Sequence, residues 1–321
     1  MAASERPQVL VTHPGRQHSH QAALGLQEAG MLAGYWAGVP ALERHARGIP
    51  RVLWRRLIRY APVPLEERRV RWVPMVPALR QLGGPLPAGP AAEVDLLACR
   101  LFDRWAARRL RSSGAGAVIA CEISALALFR EAKRLGMTTL LDAPSLHHLV
   151  QDRLHGTTDP PGLHRRIARV KDEEIALADH VLTVSELARQ TYLEAGVPAE
   201  KVHAVPLGAD LDLFAPDETR TAPEGLTFLF AGASIRRKGF DLLLAAFARV
   251  AADVPEARLR LVGPRGDSAH LLERYPEAPI SVAGPTDQRG LASELRRADC
   301  LVLPSRNDSY GMVVAEALAS G

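Results

Sequence analysis

Residues 299–321 read DCLVLPSRNDSYGMVVAEALASG, which predicts a strand, a loop and a helix within one short segment. Residues 300–303 are apolar and end at Pro304, a pattern typical of a buried strand. Residues 312–319 are apolar and favour a helix, and Gly321 stands where a glycine commonly ends one. The polar loop between them therefore opens directly onto a helix N-terminus.

Glu316 is the one charged residue of this predicted helix. Helical side chains lean toward the N-terminus, so we expect its carboxylate to face the loop and the exposed N–H groups of Gly311, Met312 and Val313. Those N–H groups and the helix dipole favour an anion. The pattern predicts a diphosphate at the helix start and ribose hydroxyls on Glu316. The alternative is that a polar loop residue only caps the helix and that Glu316 pairs with an arginine.

The segment from Asp308 to Glu316, DSYGMVVAE, resembles the paired-acid motif of the retaining GT-B glycosyltransferases of family 4. In that family an acid is followed by a glycine two or three residues on and by a glutamate eight positions after the first acid. Asp308 stands here where glutamate is usual, so its carboxylate reaches one methylene less far. The resemblance implies that Asp308 lies near the transferred sugar and that Glu316 binds the donor.

A basic glycine loop, GASIRRKG at residues 232–239, lies between a predicted strand at 226–231 and a predicted helix at 240–252. Such a loop brings backbone N–H groups and fixed cations to one point. The family pattern is Gly-Arg, four residues, then Lys-Gly, and here Ala233 replaces that arginine. The alternative is a solvated basic turn. The resemblance implies that the donor-binding residues of this loop are Arg236, Arg237 and Lys238.

The N-terminal segment also predicts strand, loop and helix, at residues 8–11, 13–20 and 21–29. This order opens a doubly wound sheet, in which ligands bind at the carboxyl edge of the strands. The loop lacks the G-x-G-x-x-G fingerprint, and its three histidines have no cysteine beside them, so we expect no metal there. We interpret it as an acceptor-side loop, the alternative being ordinary loop polarity. Its candidate residues are Gly15, Arg16 and His18.

A helix predicted at residues 122–135 leads to a predicted strand at 138–141, and a pair of histidines, His147 and His148, follows that strand. In the family, the loop after this strand often carries a histidine that contacts the donor sugar, one or two residues beyond the strand. The two histidines lie slightly later than that position. The resemblance implies that one of them acts in catalysis, and the alternative is a surface pair.

The resemblance implies an α/β protein with the GT-B fold, in which two Rossmann-like doubly wound domains face each other across a cleft. We predict an acceptor domain at 1–215, a polar linker at 216–225 and a nucleotide-sugar-binding domain at 226–321. Family members continue with further strands and helices beyond the helix that ends at Gly321. We therefore expect the second domain to be truncated at its C-terminus.

The implied reaction is transfer of a sugar from a nucleotide-sugar donor to a glycan, lipid-linked or small-molecule acceptor, with retention of anomeric configuration. Cationic side chains and helix amides would neutralise the diphosphate, so we expect neither a cofactor nor a metal. Some similar loops occur in enzymes of the lipopolysaccharide type, which implies a role in cell-envelope polysaccharide. The alternative is a non-catalytic module on the same scaffold that binds a nucleotide sugar or a glycan.

Composition predicts a soluble globular protein, with 47% hydrophobic and 24% charged residues among 321. The N-terminal residues carry charge and no apolar segment, so no secretory signal is apparent. No apolar run reaches the roughly 18–20 residues of a membrane span. The three scattered cysteines suit a reducing compartment. We expect a cytoplasmic protein.

Positive charge is concentrated in residues 43–80, where ten arginines and three glutamates give +7, against +4 for the whole chain. Residues 51–60, RVLWRRLIRY, predict an amphipathic basic helix, which is typical of helices that lie on anionic membranes. We expect peripheral contact with the inner face of the plasma membrane, the alternative being an ordinary helix packed on the sheet. The preference for arginine over lysine reflects base composition, so we expect no nucleic-acid partner. Residues 63–90 are rich in proline and predict a surface loop.

Overall fold

The structure is a computed structural model that describes residues 6–15, 17–39, 64–73, 75–83, 86–155, 160–219 and 225–321. The chain divides into two compact units, Met1–Val205 and Pro206–Gly321. Each unit has a parallel sheet with helices of its own. No helix in the described ranges combines the length and the hydrophobicity needed to cross a bilayer.

The first unit contains a sheet of seven strands. They are β1 (Val9–His13), β2 (Leu32–Ala37), β3 (Val70–Trp72), β4 (Ala117–Cys121), β5 (Thr138–Ala143), β6 (His180–Thr183) and β7 (Val202–Ala204). Their order is β3-β2-β1-β4-β5-β6-β7, and every neighbouring pair is parallel. The chain builds outward from β1 in one direction and then from β4 in the other, as expected of a doubly wound sheet.

Seven helices belong to the described part of the first unit. They are α1 (Ser19–Glu28), α2 (Met75–Gly83), α3 (Ala88–Arg109), α4 (Leu126–Arg134), α5 (His148–His155), α6 (Pro161–Leu177) and α7 (Glu186–Glu194). The core lies between the central strands and these helices, where Leu10, Val118 and Leu141 from three adjacent strands pack with Phe129 of α4. The central strands β1 and β4 are largely apolar, as expected of buried strands in a parallel sheet.

Two local predictions for this unit are wrong. Residues 63–90 are not a loop throughout their described part, because β3 pairs with β2 there and α2 follows it. The helix predicted from residue 122 begins instead at Leu126. The preceding turn places Ile123 at φ +70, a conformation that β-branched residues avoid. The buried carboxylate of Glu174 accepts hydrogen bonds from the backbone N–H groups of Ile123 (2.7 Å) and Ala125 (2.8 Å) and so stabilises this turn.

The second unit contains four parallel strands in the order β10-β9-β8-β11. They are β8 (Leu226–Ala231), β9 (Ala257–Val262), β10 (Ile280–Gly284) and β11 (Cys300–Leu301). Three helices, α8 (Phe240–Asp253), α9 (Gln288–Arg297) and α10 (Met312–Ala319), complete its described part. Phe230, Phe240 and Leu259 lie in its largest hydrophobic cluster.

The division between the units falls between Val205 and Pro206, ahead of the predicted linker at 216–225. The reason is Phe214, which is 1% exposed and packs with Leu229 and Val262 of the second sheet. The segment that leads to Phe214 therefore belongs to the second unit. The predicted basic helix at 51–60 lies outside the described residues.

Candidate functional site

Two loops of the second unit, 232–239 after β8 and 302–311 after β11, lie side by side because β8 and β11 are neighbouring parallel strands. Arg306 donates its backbone N–H to the carbonyl oxygen of Arg237 at 2.9 Å. Arg237 in return donates from Nη1 to the carbonyl oxygen of Asn307 at 3.0 Å. The basic loop and the polar loop before α10, both predicted from the sequence, therefore lie in contact.

The side chain of Arg306 also stabilises the junction between loops 232–239 and 302–311. Its guanidinium donates to both carboxylate oxygens of Asp241, at 2.6 and 2.8 Å, and to the carbonyl oxygen of Arg236 at 2.7 Å. The hydrogen bond from Arg306 holds the pKa of Asp241 below its ordinary value. A bidentate arginine–carboxylate pair fixes orientation as well as charge. Sequence analysis missed this residue, since nothing in the local pattern distinguishes it from the other arginines.

Gly239 permits the close approach of the two loops. It has φ +69, and a Cβ atom placed on it would overlap the carbonyl oxygen of Pro304. Any larger residue would push the loops apart. Gly239 also precedes the first residue of α8, so the helix begins at this junction.

Lys238 and Asp308 form an ion pair at the centre of the joined loops. The second carboxylate oxygen of Asp308 accepts the backbone N–H of Gly311 at 3.2 Å. Gly311 has φ +78 and is the N-cap of α10. The aspartate therefore binds the N-cap residue itself and leaves the first-turn amides of α10 uncapped by a side chain, and the same carboxylate brings the ammonium group of Lys238 to the helix start.

The amides of Met312 and Val313 lie in the first turn of α10, before the intrahelical bond from Val314 to Gly311 at 2.8 Å. Amides at this position have no intrahelical acceptor. With the helix dipole and the adjacent lysine they form a site suited to an anion.

Glu316 lies on α10 and is 6% exposed. Burial raises the pKa of its carboxyl above the ordinary value, and no basic residue pairs with it in the described part of the chain. The predicted alternative of an arginine partner is therefore not seen there. A buried carboxylate without hydrogen bonds is costly, so this group suits a ligand that supplies hydroxyl donors.

Tyr310 connects the same loop to the segment that begins the second unit. Its hydroxyl donates to the carbonyl oxygen of Leu207. The two residues are 103 positions apart, which is why local sequence patterns gave no signal for the contact.

The loop at residues 13–20, predicted to face the acceptor, lies at the carboxyl end of β1 and reaches Asp142 of β5. Gly15 donates its N–H to Nδ1 of His13 at 2.8 Å, and Nε2 of His18 shares a hydrogen bond with Asp142 at 2.9 Å. Burial lowers the pKa of His13 to about 4. Burial also opposes the charge on His18, but the hydrogen bond and the negative charge of Asp142 raise the pKa of His18 overall. Arg16 lies outside the described residues.

The two candidate catalytic histidines are buried in the first unit. His147 is 3% exposed and His148 is 7% exposed, and their rings stack with centroids 4.5 Å apart. Nε2 of His148 shares a hydrogen bond with Asp172 at 2.7 Å. The rings of His147 and Tyr192 are nearly perpendicular, with centroids 5.0 Å apart. Burial, followed by the neighbouring His148, lowers the pKa of His147 to about 4. The pair is thus not on the surface.

Comparison with known proteins agrees with the motifs. Residues 225–321 match the family described as "Glycosyl transferases group 1". A D-inositol 3-phosphate glycosyltransferase of Jonesia denitrificans is 32% identical over 180 residues, which are 48% of this chain and 42% of that protein. D-inositol 3-phosphate glycosyltransferase 1 of Catenulispora acidiphila is 30% identical over 260 residues, 74% of this chain and 62% of that protein. The chain thus spans only about half the length of the curated relatives it matches.

Solved structures show the fold. Sucrose-phosphate synthase from Thermosynechococcus elongatus aligns with a TM-score of 0.69 at 19% identity, over 98% of this chain and 80% of that one. Anabaena HepE in complex with UDP and glucose aligns with a TM-score of 0.58 at 14% identity, over 98% and 78%. The chain therefore has the α/β GT-B fold and resembles the group 1 glycosyltransferases, as the sequence motifs predicted.

Proposed function

We propose that this chain belongs to a glycosyltransferase that moves a sugar from a nucleotide-sugar donor to an acceptor hydroxyl. The observation that supports it most is the junction of loops 232–239 and 302–311. Lys238, the first turn of α10 and the loop that precedes it meet there, with Glu316 one turn further along the same helix. A nucleoside diphosphate offers a matching set of groups, namely two phosphates for the cation and amides and ribose hydroxyls for the carboxylate.

The proposed donor is a uridine diphosphate sugar. The structures of HepE are complexes with UDP, with UDP and glucose, and with UDP-glucose, on the same fold. Glu316 would accept hydrogen bonds from the ribose hydroxyls, which would compensate for its burial. Asp308, beside the helix start, would lie toward the transferred sugar.

Charge stabilisation is the proposed source of catalysis. As the bond to the sugar breaks, negative charge grows on the departing diphosphate. Lys238, the neighbouring arginines Arg236 and Arg237, and the amides of Gly311, Met312 and Val313 would stabilise that charge. These groups are fixed in the fold before the donor binds, so little reorganisation is needed. We propose that no metal binds at the diphosphate. We also propose that the transferred sugar retains its anomeric configuration, as in the family whose motif the chain resembles.

The proposed acceptor binds to the first unit at the carboxyl edge of its sheet, near Gly15 and His18. The named relatives act on D-inositol 3-phosphate, so a phosphorylated polyol is the first acceptor to test, followed by glycans and lipid-linked sugars of the cell envelope.

We also propose that residues 51–60 contact an anionic membrane at the cytoplasmic face. Vesicle sedimentation with and without anionic lipid tests it, and equal binding to both kinds of vesicle would contradict it.

The test of function is release of nucleoside diphosphate from a panel of nucleotide sugars, measured with and without acceptor. Transfer predicts UDP release that requires acceptor and that falls at least tenfold in Lys238→Ala and Glu316→Ala. Lys201→Ala, in the first unit, and Glu277→Ala, at an exposed position of the second, are the matched controls. Binding of the donor with no release under any acceptor would instead favour a non-catalytic binding module.

A further inference from the structure

The histidine pair of the first unit belongs to a cluster of three groups that bind metals. One ring nitrogen each from His147 and His148 and one carboxylate oxygen of Asp172 lie within 4.8 Å of one another. Among the residues that the structure describes, this is the one group of three such side chains that could hold an ion. We propose that His147, His148 and Asp172 form a binding site for a divalent transition metal ion, with zinc as the first candidate.

The three ligands come from two helices that the fold brings together. His147 precedes α5, His148 is its first residue, and Asp172 lies on α6. In tetrahedral zinc sites the ligand atoms lie about 2.0–2.2 Å from the ion and thus about 3.3 Å from one another. The ligand atoms of the cluster lie within 4.8 Å of one another, so binding of an ion would draw the side chains closer together.

The two imidazole rings are held close together. They stack with their planes inclined by 29° and their centroids 4.5 Å apart. The ring of Tyr192 packs perpendicular to that of His147, and the backbone N–H of His147 donates to Oγ1 of Thr191 at 2.9 Å. A site whose ligands are held in place loses little conformational entropy when the ion binds.

His148 has a polar atom that the protein leaves unpaired. Its Nε2 is engaged with Asp172, but Nδ1 is buried and has no hydrogen-bond partner in the described part of the chain. An ion that binds both His148 and Asp172 must lie on the Nε2 side of the ring, since Asp172 contacts that nitrogen. Nδ1, on the other side, would then carry the ring proton.

Access to the cluster is from the Asp172 side, because that side chain is 59% exposed while both imidazoles are buried. Three protein ligands leave a fourth position for water. Imidazole and carboxylate together suit Zn²⁺, Co²⁺ or Ni²⁺ better than Mg²⁺ or Ca²⁺, which prefer oxygen ligands. The ion would connect α5 to α6 and stabilise the loop after β5.

This inference does not rest on the proposed function. A metal held by both imidazoles and a histidine that contacts the donor sugar are alternative uses of the same side chains. Direct measurement of metal binding therefore distinguishes the two whatever the enzyme assay gives.

The test is titration of the whole chain, stripped of metal with a chelator and freed of any histidine tag. Zn²⁺ is followed by calorimetry and Co²⁺ by its visible absorption. We expect one ion per chain, a rise in Tm on binding, and a loss of affinity of about tenfold or more in His148→Gln and in Asp172→Asn. Asp172 is exposed, so its variant should fold even if His148→Gln does not.

Two other pairs in the chain serve as controls. His164 and Asp152 form a pair of the same kind at 2.9 Å, and His180 and His203 form a histidine pair at 3.0 Å. Neither has a third ligand within reach in the described structure, so His164→Gln and His180→Gln should bind the ion as the parent chain does. Absence of binding, or binding that Asp172→Asn leaves unchanged, would overturn the proposal.

Discussion

Lys238 and Asp308 are 70 residues apart in the sequence and form an ion pair at the N-terminus of α10. The pair connects the loop after β8 to the loop after β11. It also holds a cation and an anion where the proposed diphosphate would lie. The side chains are 19% and 24% exposed, so water or a ligand can reach both.

The substitution Asp308→Asn distinguishes the effects of the two contacts that the aspartate makes. Asp308→Asn keeps an oxygen to accept the N–H of Gly311 but removes the negative charge beside Lys238. Because the lysine is then free to bind phosphate, we expect UDP to bind the variant at least as tightly as the parent chain. We expect turnover to fall at least tenfold, since Asp308 is proposed to lie near the transferred sugar. Calorimetry with UDP and initial rates measure the two effects. Weaker UDP binding in a folded Asp308→Asn would contradict this role.

The junction of the loops requires glycine at position 239. In Gly239→Ala the new methyl group would overlap Pro304, in addition to the strain of φ +69. We expect the free energy of unfolding of the second unit to fall by about 3 kcal/mol. Gly284 is the matched control, since it has φ +73 and no neighbouring atom within 4 Å of the position that a Cβ would take, so Gly284→Ala should cost only the αL strain of about 1 kcal/mol. Equal losses in urea unfolding would show that the contact with Pro304 is unimportant.

The pair of His18 and Asp142 predicts a pH dependence of stability. The pKa of His18 is raised in the folded chain, so the protonated ring is favoured by folding. Its contribution is complete below the unfolded value of about 6.5 and is lost as pH rises through the folded value. His13, with its pKa near 4, stays neutral in this window. Thermal unfolding from pH 6 to 9 should show a decline that Asp142→Asn flattens. A decline of the same size in the variant would assign it to other groups.

The sequence predicted the elements that are apolar and clearly bounded. Leu226–Ala231 and Met312–Ala319 have the predicted ends, because apolar runs between glycines and polar residues leave little freedom. Leu32–Ala37 was missed, since its LAGYWA contains small residues with weak strand preference. Val70–Trp72 is only three residues long and depends on pairing with that strand.

The family motif singles out Lys238, Asp308 and Glu316, and their roles stay predictions. The structure adds that the first two are in contact. Arg306 and Tyr310 were missed because their partners, Asp241 and Leu207, are 65 and 103 residues away. The boundary between the units depended likewise on Phe214, whose burial is set by strands that follow it.

The measurement that tests the central claim most directly is the comparison of stability and UDP affinity in Glu316→Gln. Burial raises the pKa of Glu316, so its ionised form destabilises the ligand-free fold at neutral pH, and the neutral amide should raise Tm at pH 7 but not near pH 4. The amide accepts fewer hydrogen bonds from ribose, so UDP affinity should fall about tenfold. If Glu316 serves ligand binding at a cost in stability, its replacement should raise Tm and weaken UDP binding at the same time. A variant that is less stable at pH 7 and binds UDP as well as the parent chain would contradict the account.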